Sequence, residues 1–253
     1  MSDESAAQRW ERLSKDRVDR PLPKRFYKAV SVGNDLTILL DGRAVKTPLK
    51  QKLVLPTRVL AEAIGEEWVA VDKVINPALM PLTKLANTAI DTVTASRDHV
   101  VGEIVAYAGN DLVCYRAEKP SDLVALQADA WDPVLLWAKA TLGAEFLKTT
   151  GVIHIDQPQA ALSEMLSRLL ILDNFRLTAI HSAMTLTGSA LLALMLHAHA
   201  ISAAQAWAAA HVDEDFQIAQ WGPDAQAAQR REWRKADFYA AVRLMELLNP
   251  LSH

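Results

Sequence analysis

The chain has 253 residues, enough to bury a sizeable core in one large domain or two smaller ones. Apolar residues make up 51% and charged residues 23%, the balance of a soluble globular protein and not of a disordered one. Thirty acids against 27 bases leave a net charge of -3, which argues against a general nucleic-acid binder, since that role needs a basic face to neutralise phosphates.

The N-terminal run MSDESAAQRWERLSKDR is dense in both charges and has no apolar core, so neither a secretory signal nor a transit peptide is expected. From Phe26 to Pro56, short runs rich in Val, Ile, Leu and Thr alternate with turn signals. Asp41-Gly42 between two such runs is a hairpin signal, because glycine accepts the positive φ of a two-residue turn. An antiparallel meander is expected there, with Arg43 and Lys46 outward. After Thr57, placed as an N-cap, Leu60, Ile64, Trp68 and Val71 fall at helical spacing. Ile75 to Lys84, punctuated by Pro77 and Pro81, reads as an extended crossing.

From Leu85 onward the pattern is helical. Ser121 is expected to cap a helix ending at Trp131, and Asp132-Pro133 to start another. Gly151 to Ile155 is a lone possible strand. Further helices are expected over 159–172, 175–187, 190–211 and 224–248. The segment from Gly188 to Ala210 approaches bilayer-spanning length, but His197, His199, Gln205 and many alanines favour a buried helix over a membrane span. The fold class is therefore α+β. Residues 1–82 are expected to form a small antiparallel β-rich domain with one helix near 57–71, and residues 83–253 a larger all-α domain.

Signatures of chemistry are sparse. Cys114, the only cysteine, excludes an intramolecular disulfide, and among Leu112, Val113 and Tyr115 it reads as a small buried hydrophobe. His197 and His199 stand two apart and cannot share a metal from one helical face. No Gly-rich phosphate loop, nucleophile elbow or paired-cysteine metal motif occurs, so no catalytic residue, cofactor or metal is expected. The run from His211 to Gly222 places Asp213, Glu214 and Asp215 together, followed by Phe216, Ile218 and Trp221. It reads either as a solvated helix end or as an acidic patch flanked by aromatics and facing a basic partner. An enzyme using Cys114 or a carboxylate pair, and an adaptor or membrane-surface module, stand as alternative readings.

Five stretches in order carry a family resemblance: RFYKAVSV, LLDGRAVKTP, INPALMPLTKLANTAID, LVCYRAEKPSDLVALQADAWDPVLLWA and QIAQWG. Together, from about Arg25 to Gly222, they resemble the assembly chaperones of the F1-ATPase α subunit, found in mitochondria and in some bacteria. The resemblance implies a non-enzymatic protein that binds free α and shields its β-facing surface until the hexamer forms. A monomer when free is expected, in the bacterial cytoplasm given the lone cysteine and the lack of a signal, with the mitochondrial matrix the setting of relatives. The family's acidic position before its Trp-Gly pair maps best to Glu214, with Asp213 and Asp215 as register alternatives. Trp221, Trp131 and Asp132 complete the expected partner-binding set, although for Trp131, Trp137 and Asp132 packing at a helix junction is the favoured reading over direct contact. Beyond Gly222 the chain departs from the family, reading PDAQAAQRREW with basic Arg230 and Arg231.

Overall fold

The computed structural model describes residues 22–249 apart from residue 152. The N-terminal run read for targeting signals lies outside the described residues. Three short strands, β1 (Val30–Val32), β2 (Ile38–Leu40) and β3 (Arg43–Ala44), form an antiparallel sheet in that order, with Ser31 opposite Leu39 and Leu40 opposite Arg43. The Asp41-Gly42 hairpin forms as expected: φ is 48° at Asp41 and 78° at Gly42. The Asp41 carboxylate ties this turn to the residues just ahead of β1 by accepting from the backbone N–H groups of Lys28 and Ala29.

Period-two alternation turns Ile38 and Leu40 inward. They join Leu60, Ile64 and Trp68 of helix α1 (Arg58–Ala70) in one core. Thr57 caps α1 as the sequence indicates, its hydroxyl accepting from Leu60 N at 3.2 Å. The same hydroxyl donates to the Leu247 carbonyl at 2.9 Å, near the described C-terminal end. One side chain thus starts a helix and joins two distant parts of the chain. Thr57→Ala is expected to cost about 1–2 kcal/mol, read from the urea midpoint, and Thr57→Ser to recover most of it.

The stretch from Ile75 to Lys84 is not extended. Pro77 opens a short 3-10 turn (Pro77–Leu79), and Pro81 opens helix α2 (Pro81–Thr88), which runs on as a wide π turn over Ala89–Val93. The reason is local. A proline pushes only the residue before it out of the α region, while its own fixed φ and missing N–H suit the first helical position. Glu67 of α1 then fills the N-terminus of α2, accepting from Leu82 N at 2.7 Å and Thr83 N at 2.8 Å. Residues 82 and 83 therefore lie in the first turn of a helix bonded back to α1.

The remainder is helical: α3 (Arg97–Ala108), α4 (Ser121–Trp137), α5 (Gln159–Leu170), α6 (Asn174–Thr187), α7 (Ala190–His197), α8 (Ala203–Ala210), α9 (Val212–Trp221) and α10 (Ala225–Leu248). Short strands β4 (Tyr115–Arg116) and β5 (Thr149–Thr150) pair in parallel, the latter just ahead of the expected strand from Gly151. The first seven residues of α7 are all buried, and it packs against α3, α4, α6, α8 and α10.

Two helix expectations are corrected. Ser121 does not cap α4, and Asp132-Pro133 starts nothing: α4 is continuous through Pro133. Pro133 and Asp129 are both exposed, so water can serve the carbonyl that loses its helical partner. The expected helix over 190–211 is broken at His199, whose φ is 53°, and restarts at a Ser202–Gln205 capping box. Among the described residues no helix is long and apolar enough to cross a membrane.

Candidate functional site

The acidic cluster and the cysteine-bearing stretch, 86 residues apart, meet in space. The β4–β5 pairing fixes Arg116 beside α4. Its guanidinium is buried, donating through Nε to Val113 O at 2.9 Å and through Nη1 to Gln127 O at 3.2 Å. Nη2 forms an ion pair with Asp132 at 2.9 Å, and the group lies 5.3 Å from the Trp131 ring centroid. Lys148 reaches the same Asp132 oxygen at 3.0 Å. Partial burial works to raise the Asp132 carboxyl, but Lys148 and Arg116 outweigh it and hold it below the ordinary carboxylate range.

One face of α4 then grips the root of α9. Gln127, Trp131 and Val134 lie at helical spacing and are buried. Trp131 is 1% exposed and donates its indole N–H to Ala209 O, at the end of α8, at 2.7 Å. Gln127 donates to Asp213 Oδ1 at 2.6 Å. His211, between those helices, stacks on Trp207 at 3.9 Å and bonds through Nδ1 to Trp207 O at 2.8 Å. A carbonyl only accepts, so Nδ1 carries the hydrogen and Nε2 faces Glu214, 4.0 Å away. Burial pushes the His211 imidazole below its ordinary value.

The three acids therefore divide. Asp213 turns inward to Gln127. Asp215 pairs with Arg231 of α10 at 2.5 Å, and Glu214 lies 3.9 Å from the same guanidinium. The bond from Asp215 is the largest influence raising Arg231, against the cost of its burial. Glu214 and Asp215 meet only at the Arg231 guanidinium, an ion-pair arrangement, while Asp213 faces the other way. Arg231, read from sequence only as a basic departure from the family, is the clamp between α9 and α10.

Beyond that clamp the chain is largely exposed, tied to the body where Arg234 donates to the Leu186 carbonyl of α6 at 2.7 Å and Asp237 lies 3.9 Å from Lys84 of α2. None of the ten residues of α9 is buried, and in α10 burial begins only at Phe238. This arm of α9 and residues 225–237 bares Trp221 at 80% and Trp233 at 65% exposure. Trp221 is thus placed as a surface residue, whereas Trp131 supports the surface from below and Asp132 closes the Arg116 network. Trp233 escaped the sequence reading because a lone tryptophan on a long helix looks like core. The polar stretch around it, QRREWRKAD, was the available signal.

Elsewhere, Cys114 is buried, and its thiol is pushed up to about 12 by burial and by the neighbouring Asp111 charge, so the thiolate is scarce near neutral pH. A groove of about 260 Å3 between α2, α6 and α10 carries Lys84, His181 and Asp237. Lys84 lies 3.9 Å from Asp237, and His181 bonds to Glu103 at 3.2 Å. Among the described residues no group of three or more His, Cys, Asp or Glu could hold a metal ion.

The chain was compared with known proteins. The family model described as ATP12 chaperone protein matches residues 24–139, from the start of the sheet through α4. The solved structure of Atp12 from Paracoccus denitrificans is 40% identical, with a TM-score of 0.85 over 90% of this chain and 99% of that one. An Asp-to-Lys variant of that Atp12p gives 40% identity and a TM-score of 0.86 over 90% of this chain and 98% of that one. A chaperone candidate from Agrobacterium tumefaciens is 42% identical, with a TM-score of 0.86, covering 98% of this chain and 93% of its own. With these likenesses spanning both the sheet and the helical body, including the arm, the chain belongs to the ATP12 chaperone family.

Proposed function

We propose that this chaperone of ATP synthase assembly binds the unassembled α subunit of F1 and covers its β-facing surface until β displaces it. A free subunit with an interface uncovered is prone to aggregate, and a transient cover must be displaceable. The observation that carries the reading is the arm: an α-helical hairpin that bares Trp221 and Trp233 beside Glu214 and Asp215, tied to the body by the Gln127–Asp213 bond and by Arg234 to the Leu186 carbonyl. Tryptophan on an exposed surface suits an interface anchor, and the neighbouring acids suit basic residues at its rim. The role is one of binding without bond-making, by a monomer in the bacterial cytoplasm.

Mixing the purified protein with α is expected to give a 1:1 complex by light scattering, to slow α aggregation, and to lose the complex once β is added. No complex and unchanged aggregation would defeat the reading. Within the arm, Glu214 is the contact we assign to a basic residue of α. Glu214→Lys is expected to weaken α binding by about tenfold or more while leaving the thermal midpoint within a few degrees, since Asp215 keeps Arg231 in place. Unchanged affinity would move the contact to another surface.

A further inference from the structure

Both helices of the arm are bonded to the body: Arg234 of α10 donates to the Leu186 carbonyl at 2.7 Å, and Gln127 of α4 holds the root of α9 through Asp213. Gln127 is 2% exposed, and both ends of its amide are committed. Oε1 accepts from Ala117 N at 2.7 Å, and Nε2 donates to Asp213 Oδ1 at 2.6 Å. A backbone N–H can only donate, so the oxygen must face Ala117 and the nitrogen must face α9. The group opposite, at position 213, must therefore accept. Gln127 cannot easily shift to suit another partner, because its own carbonyl is held by Arg116 and the next helical turn is fixed by the Trp131 bond to Ala209.

The consequence is mechanical. α9 has no fully buried residue, only Val212 half-buried against the core, so the Gln127–Asp213 bond carries much of the task of fixing its angle. Trp221 lies eight residues beyond Asp213, about 12 Å along the helix. A tilt of about 10° at the root moves that tryptophan by about 2 Å, enough to spoil a packed contact. We infer that Gln127 is the positioning residue of the client-binding arm: by holding Asp213 it fixes where Glu214 and Trp221 stand. The inference rests on the reading above that the arm meets the α subunit.

An exchange of the two side chains tests it. Gln127→Glu sets one carboxylate against another at the root. It is expected to speed amide hydrogen exchange across α9 and to weaken α-subunit binding by about tenfold. Asp213→Asn alone keeps an acceptor oxygen and is expected to behave like the parent. The double variant restores one donor facing one acceptor, the new acid accepting from both Ala117 N–H and the new amide. It is expected to regain both α9 protection and affinity, a rescue that mere loss of packing would not show. Circular dichroism of each variant separates arm displacement from global unfolding. If Gln127→Glu leaves α9 exchange unchanged, or a folded double variant fails to regain protection, the positioning role is wrong. If protection is lost and regained while affinity for α never moves, the latch stands and the arm is not the client surface.

Discussion

Replacing Trp131 with alanine is expected to remove about 4 kcal/mol of folding stability, the largest single-residue effect in the helical body. Truncating a fully buried large aromatic costs about 3–5 kcal/mol, through lost transfer energy and the cavity left behind. Here the indole also satisfies the Ala209 carbonyl at the end of α8 and backs the Arg116 guanidinium. Trp131→Phe keeps most of the ring and loses the N–H, so about 1–2 kcal/mol is expected. Trp233→Ala is the internal contrast: with its ring mostly in water, it should change stability by less than about 0.5 kcal/mol. Urea unfolding of the three variants measures the ranking. An alanine variant within about 1 kcal/mol of the parent would show that the body does not depend on this clamp.

What could be read in the sequence follows the range of the forces. Asp41-Gly42 and Thr57 were legible because a turn and an N-cap are decided within a few residues. Pro77, Pro81 and Pro133 were misread for a related reason. A proline constrains its neighbours locally, but whether it starts a helix or sits inside one depends on what fills the helix end and on which side faces water. Glu67 and the exposure of Asp129 settle those points, and neither is visible in the motif. The β-then-helical order was legible from the change of period near Thr57. At the site, the acid cluster stood out as composition, yet its division did not. Asp213 finds Gln127 from 86 residues away, and Asp215 finds Arg231 across a hairpin turn. Gln127 itself carries a faint signal, a polar residue four positions before Trp131 on the inward face of α4. For Trp131 the sequence favoured packing over contact, and its burial supports packing.

The second large effect is a dependence on pH at Asp111. This carboxylate is wholly buried where the turn before β4 meets α7, accepting from Val113 N at 3.2 Å and Leu191 N at 3.0 Å. Burial, the largest influence, outweighs those bonds and the Ser189 hydroxyl and pushes the carboxyl from 3.8 up to about 6. The folded chain therefore holds a proton, between about pH 4 and pH 6, that the unfolded chain has released. Stability from this group is fully present below about pH 4 and is lost as pH rises through about 6, by about 3 kcal/mol at 1.36 kcal/mol per pKa unit. Other groups oppose it: Asp132, held low, and His211 and His197, pushed down by burial, all favour the folded state less as pH falls. The parent curve alone is thus a sum. Asp111→Asn removes one titration and keeps an acceptor, so the stability difference between parent and variant isolates it. That difference is expected to shift by about 3 kcal/mol in the variant's favour from about pH 4 to about pH 7, measured by urea unfolding at steps between. A difference that stays flat would mean that the bonds to Leu191 and Val113, and not desolvation, govern this carboxylate.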